Sequence, residues 1–481
     1  MKKFLKRVLL LIVIIVLENN YSLCMAAEHK VESDINIYNT VYSSSQYAYS
    51  VGSIWKTPHH YDDNFRTNVY NAANKYSQIS GISSYYNTEA DYTYMRGNNP
   101  KGQRRIGSYI FFINGHANPI SILSASSDTA KNRTGITVGY DSTVSEDGEF
   151  TVAGLQSTNM SGSRLILFVG CSTGAWPNTS ENPYSTNLPI RAVERGANAA
   201  LGFRKLISSR FGDGPNWLNA FNQAIVNGYT IDGANAYACT QYPNSDLSKC
   251  SMAEGDINSR VVPVTRYASM SEKKYENEYK SLVVPEQDIE IIIDEKNSDD
   301  EKALSKCENK YKEIIETIKT QDDDFNIDEY KVSSNCVNKE NGVSYIYFTK
   351  YINDKIRTNK VYFIKTNRNV VNDITVAGIK NENIEKVNRL DETYIEDKID
   401  KFNNQKTQIL SNKLKCDNIK SIKLSESSDN ILKFDDNIKN IEEYYYYDYN
   451  TEELKYIMEY TENFELSTTD KAQIELDIEK I

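Results

Sequence analysis

Short apolar runs alternate with amphipathic segments along the first half of the chain. Residues 108–114 (SYIFFIN) and 164–170 (RLILFVG) each contain five consecutive apolar residues, which is typical of parallel strands that are buried on both faces. Residues from about 62 to 76 instead carry their apolar side chains at helical spacing after a capping aspartate. Strands that alternate with helices predict an α/β sandwich with a mainly parallel sheet.

The same patterns predict the remaining elements of this half. Strands are expected over residues 48–55, 92–95, 197–203 and 261–265, and helices over residues 188–195 and 215–226. A proline at the start of the last segment suits the first turn of a helix. We therefore predict one α/β domain over residues 27–268.

A change in composition near residue 270 marks a second region. Residues 269–481 are rich in Lys, Asp, Glu, Asn, Ile and Tyr and nearly free of Gly. Helices are expected over 301–320 and 391–413, and alternating strands over 343–350 and 360–365 predict an antiparallel hairpin. We predict a charged linker over 269–302, where cleavage would separate the halves, and an α+β accessory domain over 303–481. A helix followed by antiparallel strands occurs twice in a weak repeat, so the accessory domain could also consist of two helix-plus-hairpin units that divide near residue 390.

The beginning of the chain has the pattern of a secretory signal peptide. Four basic residues precede an apolar run from Val8 to Leu17, and Ala26 offers a small residue for cleavage after residue 26. No later apolar stretch is long enough for a bilayer. We expect a secreted or extracellular protein without a stable membrane span, and association with the cell surface stays open. Export permits disulfides, although their connectivity cannot be read from the sequence.

Charge narrows the classes of partner and cofactor. The formal net charge is −11, from 55 basic and 66 acidic residues, and a nucleic-acid-binding protein would normally show a basic face instead. Neither a zinc-ligand spacing nor a phosphate-binding glycine loop is present. Alternating acids between Asp322 and Asp328 do not fit an EF-hand, because Ile327 stands where glycine is needed. We expect no cofactor, and a looser structural calcium site in this stretch stays open.

The two longest apolar runs lead into the two most reactive residue types. The first runs into Gly115 and His116, and the second ends in Gly170 followed by Cys171. Ligands of open α/β sheets bind outside the carboxyl ends of parallel strands. On neighbouring strands, this histidine and this cysteine would emerge side by side. Imidazole can accept the thiol proton and so raise the fraction of reactive thiolate.

The small number of histidines restricts the order of a catalytic pair. The chain has 4 histidines, and none follows His116. Every arrangement with the nucleophile before its histidine is therefore excluded, including the papain-like order and the α/β-hydrolase order. Cys171 follows His116 by 55 residues, close to the spacing of about 50 noted for caspases. His59 and His60 lie in a predicted loop and are interpreted as solvated residues, with an alternative base or weak metal site left open.

At these residues the chain resembles the caspase-like cysteine peptidases, the group of caspases, gingipains, clostripain, legumains and CHAT domains. The resemblance covers roughly residues 45–268. It rests on the strand ending at Gly115-His116, the strand ending at Gly170-Cys171, and the segment 191–197 (RAVERGA). It implies a caspase-like α/β/α sandwich and a cysteine endopeptidase with His116 and Cys171 as its dyad.

The resemblance also implies an oxyanion pocket, with one departure from the family's pattern. Gly115, Ala117 and Gly170 would shape the pocket, and the N–H groups of Ala117 and Cys171 would bind the oxyanion. The family commonly has glycine after the histidine, whereas this chain has Ala117. Alanine has an N–H but resists a positive φ.

The sequence leaves two questions open: which substrate side chain the protein prefers at the cleavage site, and whether it is an enzyme at all. Asp213 would favour Arg or Lys substrates if it lined the primary pocket, and Arg204 or Arg210 would favour acidic ones. A protein or peptide is the expected substrate partner. The alternative is a non-catalytic surface or toxin-associated binding protein on a degenerate peptidase scaffold, motivated by Ala117 and by the large Tyr-rich second half.

Overall fold

A computed structural model divides the chain into two compact units, Met1–Leu201 and Gly202–Ile481. The predicted signal peptide and the pair His59 and His60 lie outside the described residues. The described residues are 29–30, 46–53, 63–88, 94–95, 97–118, 121–125, 133–137, 159–183, 185–262, 280–285, 289–293, 301–378, 392–416, 422–424, 432–434, 438–448, 453–464 and 468–478.

A mainly parallel sheet forms the centre of the first unit. The strands are β1 (His29–Lys30), β2 (Gln46–Ser53), β3 (Ile82–Asn87), β4 (Ile110–Gly115), β5 (Ala117–Asn118), β6 (Ser121–Ala125), β7 (Arg133–Thr137), β8 (Leu165–Val169) and β9 (Ala199–Phe203), and the helices are α1 (Asp63–Ser77) and α2 (Leu188–Glu194). Six of these strands follow the order β1-β3-β2-β4-β8-β9 in one sheet, and β5, β6 and β7 form a small antiparallel sheet.

The strand order places a switch point beside the strand that leads to His116. Neighbouring strands from β3 to β9 are parallel, and the edge strand β1 is antiparallel. The chain moves from β2 to β3 on one side and then returns to β4 on the other side of β2. In open α/β sheets, the carboxyl ends at such a reversal form the usual ligand crevice.

Burial on both faces explains why the apolar runs predicted the central strands correctly. Every residue of β4 and of β8 is buried, so neither strand needs a polar face. Helix α1 packs its apolar side, including Val69 and Ala73, into the interior at 0% exposure. The predicted strands 108–114, 164–170 and 197–203 and the predicted helix 62–76 are confirmed within a few residues at each end.

The second unit joins helices of the first compositional half to a large sheet of the second half. Its helices are α3 (Asp213–Val226), α4 (Ile231–Gln241), α5 (Asp246–Cys250), α6 (Glu308–Lys319) and α7 (Glu392–Cys416). Its strands are β10 (Ser251–Gly255), β11 (Lys280–Leu282), β12 (Lys302–Ala303), β13 (Tyr330–Asn338), β14 (Val343–Ile352), β15 (Ile356–Asn367), β16 (Val370–Ala377), β17 (Ile422–Leu424), β18 (Leu432–Phe434), β19 (Ile438–Asp448), β20 (Glu453–Phe464) and β21 (Thr468–Asp477).

Nine strands of this unit share one sheet that is mostly antiparallel. The path β12-β13-β14-β15-β19-β20-β21 is extended by β16, which pairs with β15, and by β11, which pairs with β16. The predicted hairpin is confirmed, with Ile346 opposite Ile364 in the β14–β15 register. A parallel contact between β15 and β19 joins the strands that follow α6 to those that follow α7. The two helix-plus-hairpin segments therefore share a single sheet.

Partly buried ion pairs connect the helices of this unit to its strands. Lys365 on β15 pairs with Asp232 on α4, which also accepts a hydrogen bond from the Tyr345 hydroxyl at 2.9 Å. Elsewhere Glu301 pairs with Lys249 at 2.9 Å and with Arg357 at 3.3 Å. Burial by itself would raise the pKa of the Glu301 carboxyl, but these two cations outweigh it and hold that pKa below its usual range.

Two predicted strands, 92–95 and 261–265, are not formed at the residues that the structure describes, and residues 92–93 and 263–265 lie outside those residues. Tyr94 and Met95 form a helical turn, and the strand lies earlier, at β3. The sequence of β3, ISSYYN, has no regular alternation, and only every third residue is buried, so the period of two was missing. Near residue 261 the described residues Val261 and Val262 form a bend. The last strand of that region is β10, which holds a polar Ser and Glu.

The described cysteines are reduced, and the described helices do not reach membrane-spanning length. Cys239, Cys250, Cys307 and Cys336 are in no disulfide, so a bridge between Cys239 and Cys250 or between Cys307 and Cys336, each plausible from the sequence, is not formed. Burial raises the pKa of the Cys239 thiol to about 11, which keeps it unreactive at neutral pH. Within the described ranges, no helix is long and apolar enough to cross a membrane.

Candidate active site

The parallel register of β4 and β8 brings the predicted histidine and cysteine to one end of the sheet. Asn114 pairs with Val169 at the ends of these strands. His116 and Cys171 each follow two residues later, so both chains leave the sheet at the same level. Cα atoms of neighbouring strands are separated by about 5 Å. The sequence expectation that these two residues emerge side by side therefore agrees with the register.

Gly170 shows how closely the two chain segments approach. A Cβ atom placed on Gly170 would lie 2.5 Å from Cβ of Ala117 and 2.8 Å from the carbonyl oxygen of Gly115. Both distances are well below van der Waals contact. The backbone before Cys171 thus packs directly against the residues on either side of His116. Glycine is therefore required at this position by the close packing of the two backbones.

Asn114 is a positioning residue that the sequence reasoning missed. Its Nδ2 donates to the carbonyl oxygen of Val169 at 3.0 Å, and its Oδ1 accepts from Nδ2 of Asn68 at 2.9 Å. The side chain is fully buried and so ties α1, β4 and β8 together just before the two reactive residues. The signal in the sequence was a polar residue at the end of an otherwise apolar run, where an amide needs specific partners.

The turn after Cys171 is held in an unusual backbone conformation. Ser172 has φ +56°, a region that non-glycine residues rarely occupy and that concentrates at functional sites. The Thr173 hydroxyl lies 3.0 Å from the carbonyl oxygens of both Phe168 and Gly170 and can donate to either. Asn187 donates from Nδ2 to the carbonyl oxygen of Ala175 at 2.9 Å, which ties the start of α2 to the end of this turn. These bonds hold the turn in one geometry.

Both reactive side chains are nearly inaccessible to solvent. His116 is 3% exposed and Cys171 is 2% exposed. The edge of the Phe65 ring meets the imidazole in a T-shaped contact, with ring centroids 5.3 Å apart. A substrate carbonyl can reach the thiol only if the groups that cover it move aside. This degree of burial was not predicted from the sequence.

The backbone conformation of Ala117 is compatible with its N–H as a donor to the oxyanion, because no positive φ is needed. Ala117 lies in β5, and it is not among the described residues with positive φ. Extended backbone is as accessible to alanine as to glycine. The methyl group of Ala117 also fills the space that faces Gly170. Alanine at this position is therefore compatible with the observed backbone, and its N–H remains a candidate donor beside Gly115 and Gly170.

The three candidates for substrate recognition lie in the second unit. The two arginines are packed against other residues, whereas Asp213 lines a cleft. Arg204 donates from Nη2 to the side-chain oxygen of Asn335. Arg210 stacks on Phe211, with its guanidinium 5.1 Å from the ring centroid. Both arginines are buried and engaged in packing, which argues against either as a pocket wall for acidic substrates. Asp213, at the start of α3, lines a cleft.

The described residues contain no group of three or more His, Cys, Asp or Glu side chains that could hold a metal ion. In the predicted calcium stretch, Asp322 accepts from the Tyr362 hydroxyl and pairs with Lys360 at 3.5 Å. Asn326 instead caps a short helical turn by accepting from the N–H of Asp328 at 3.3 Å. These side chains serve the local fold, and the expectation of no cofactor stays a prediction.

No family model, curated protein or solved structure matches this chain. The resemblance drawn from the two strand ends stays a prediction.

Proposed function

We propose that this chain is an exported cysteine endopeptidase of the caspase-like group, with His116 and Cys171 as its catalytic dyad. The observation that carries the proposal is the close packing of the two strand ends, in which Gly170 contacts Ala117 and Gly115. That packing and the β4–β8 register bring the backbone segments that carry His116 and Cys171 together at the carboxyl edge of a parallel sheet, beside its switch point, which supports the proposed dyad.

The proposed reaction uses the two side chains as base, nucleophile and acid in turn. His116 accepts the thiol proton of Cys171, and the thiolate attacks the carbonyl carbon of the scissile peptide bond. Backbone N–H groups at Cys171 and Ala117 stabilise the oxyanion that forms. His116 then gives its proton to the leaving amine, which departs as the thioester forms. Water hydrolyses the thioester, with His116 as base, and restores the thiol.

The strained turn at Ser172 supports a functional role for this edge of the sheet. A positive φ at a non-glycine residue costs free energy, on the order of 1 kcal/mol or more. The surrounding hydrogen bonds of Thr173 maintain it. Strain that is kept directly after a cysteine at the end of a parallel strand supports a functional role for that cysteine.

The burial of the dyad supports a second candidate, a binding protein on a peptidase scaffold that no longer turns over substrate. With His116 and Cys171 at 3% and 2% exposure, neither is open to a ligand in this conformation. A buried cysteine at the end of a core strand commonly serves as a small hydrophobic residue. The two candidates differ in whether the thiol ever becomes reactive.

The test combines peptide cleavage with thiol labelling of the full exported chain. A diverse peptide library is incubated with wild type, Cys171→Ala, His116→Asn and the matched control Cys239→Ala, and products are identified by mass spectrometry. We expect cleavage by wild type and by the control, and loss of cleavage in the first two variants. An electrophilic thiol probe should label Cys171 in wild type and more slowly in His116→Asn, because the base that accepts its proton is absent.

The proposal is wrong if wild type neither cleaves any peptide nor reacts with the probe while folded. In that case a binding function on the same scaffold is the better account. A binding phenotype that survives Cys171→Ala would then support the second candidate directly. Mapping one cleavage product would also establish which side chain precedes the cut.

A further inference from the structure

A cleft in the second unit is built from the loop before α3, the loop before α5 and the strands β19 to β21. It is a small cleft that is partly open to solvent. Its charged lining groups are five carboxylates and two cations, namely Asp213, Asp246, Asp448, Glu459, Glu475, Arg357 and Lys455. The excess of carboxylates makes the cleft attractive to a positive charge.

Most of these carboxylates have a partner within the protein. Lys471 pairs with Asp246 at 3.0 Å and also with Glu459. Lys455 pairs with Glu475 at 2.7 Å. The side chain of Asp448 accepts from Nδ2 of Asn359 at 2.6 Å. These contacts account for four of the five acidic groups.

Asp213 differs from the other four. It forms no hydrogen bond or ion pair with any described residue. Burial, followed by the nearby carboxylates of Asp448 and Glu475, raises its pKa to about 6. At neutral pH the cleft therefore holds a half-buried carboxylate whose surroundings disfavour its charge. A ligand with a positive charge would relieve that cost.

A second, independent feature of the cleft also lacks a partner. Ser208 lines the same cleft and is 5% exposed. Its hydroxyl oxygen Oγ is buried and has no hydrogen-bond partner among the described residues. A buried hydroxyl without a partner is uncommon in native structures and calls for a ligand or a water molecule to satisfy it.

The walls of the cleft favour an organic cation over a metal ion. Tyr444 and Tyr446 line it, and aromatic faces attract ammonium and guanidinium groups. The guanidinium of Arg357 already occupies the ring of Tyr444, 4.4 Å from its centroid, so Tyr446 is the ring left for a bound cation. The described acids form no cluster that could hold a metal ion.

We propose that this cleft binds an alkylammonium or guanidinium group, with Asp213 as its counter-ion, Ser208 as a hydrogen-bonding partner and Tyr446 as part of its aromatic wall. The group belongs either to a basic side chain of a peptide or to a small free amine. The proposal stands on the second unit by itself and does not depend on peptidase activity.

Calorimetric titration of the full chain at pH 7.5 tests the proposal. The probes are agmatine, putrescine, a capped tripeptide with a central arginine, and the same tripeptide with citrulline as the uncharged match. We expect saturable binding of the cationic probes and none of the citrulline peptide. Tighter binding of the arginine peptide than of agmatine identifies a peptide side chain as the source, and the reverse identifies a free amine.

Three variants locate the binding in the cleft. Asp213→Asn should weaken the affinity by ~10-fold or more, and Ser208→Ala by roughly 5-fold, as expected for a charge-assisted and a neutral hydrogen bond. The matched control is Asp323→Asn, an exposed acid of the same unit, which should bind like wild type. The Cys171→Ala variant should also bind like wild type, so loss of peptidase chemistry and loss of this site are distinguishable.

Each of the other outcomes overturns the proposal. No binding of any cationic probe removes the site. Equal affinity of wild type and Asp213→Asn places the bound cation elsewhere. Calcium that displaces agmatine in an Asp213-dependent way would make the cleft a metal site instead of an organic cation site.

Discussion

Replacing Gly170 with alanine tests the close packing on which the candidate active site depends. The new Cβ atom would lie 2.5 Å from Cβ of Ala117 and 2.8 Å from the carbonyl oxygen of Gly115. Carbon atoms in contact normally lie about 3.5–4.0 Å apart, so the strand ends would have to separate by roughly 1 Å. Neither neighbour can rotate away, because one is a methyl group fixed to the backbone and the other is the backbone itself.

The cost of this separation follows from what is known of overpacked interiors. Extra atoms in a well-packed core typically cost about 1–3 kcal/mol, and two rigid neighbours place Gly170→Ala near the upper end. For a unit of this size, about 3 kcal/mol corresponds to a decrease in Tm of ~6–12 °C. Separation also moves Cys171 away from His116, so the rate of thiol labelling should fall in the fraction that remains folded.

Thermal unfolding and probe labelling are measured on Gly170→Ala and on two companions. Gly162→Ala is the matched control, since its new Cβ meets the flexible end of the Gln103 side chain, which can swing away. The double variant Ala117→Gly with Gly170→Ala removes the 2.5 Å contact and should recover part of the lost stability. If Gly170→Ala unfolds at the wild-type temperature and labels at the wild-type rate, the two strand ends are not packed as described.

Three charge substitutions test the electrostatics of the second unit by thermal unfolding. Asp213→Asn should stabilise the fold by about 1 kcal/mol at pH 7.5 and by much less at pH 4, because a raised carboxyl pKa costs stability progressively from the unfolded pKa up to the folded pKa of about 6 and in full only above it. Glu301→Gln should destabilise by roughly 2 kcal/mol at pH 7, with the difference shrinking below about pH 4, since a lowered pKa stabilises only while the unfolded carboxyl is ionised. Lys365→Met should cost about 3 kcal/mol by leaving Asp232 buried, and adding Asp232→Asn should recover most of it. Unchanged stability at pH 7.5 or 7 would contradict each expectation.

The parallel core of the first unit could be predicted because its sequence signal is local. Every residue of β4 and β8 is buried, so the strands appear as uninterrupted apolar runs. Strand β3 could not be found in this way, because only every third residue of ISSYYN is buried. Its position depends on pairing with β1 and β2, and such pairing is set by the tertiary structure and not by local propensity.

The residues of the candidate site could be predicted from the sequence, but their burial and their neighbours could not. His116 and Cys171 follow from residue type, chain order and position after apolar runs. The burial of both side chains and the contact of Gly170 with Ala117 depend on how two segments more than fifty residues apart pack, which no spacing rule contains. Asn114 was missed for the same reason, because its partners are Asn68 and Val169.

The change in composition near residue 270 does not mark a boundary between separately packed parts of the chain. Residues before and after it pack together in the second unit. Helices α4 and α5 come from before this point, yet Asp232 on α4 is paired with Lys365, and Asp246 on α5 is paired with Lys471 at 3.0 Å. Separating the halves would break these pairs and would also expose Tyr345 and Tyr347, which are fully buried and donate to Asp232 and to the carbonyl oxygen of Ser248; burial of a large side chain contributes about 2 kcal/mol. Cleavage between residues 269 and 302 would therefore cut the chain without releasing its second half, and any activation by such a cut has to act through local rearrangement instead of dissociation.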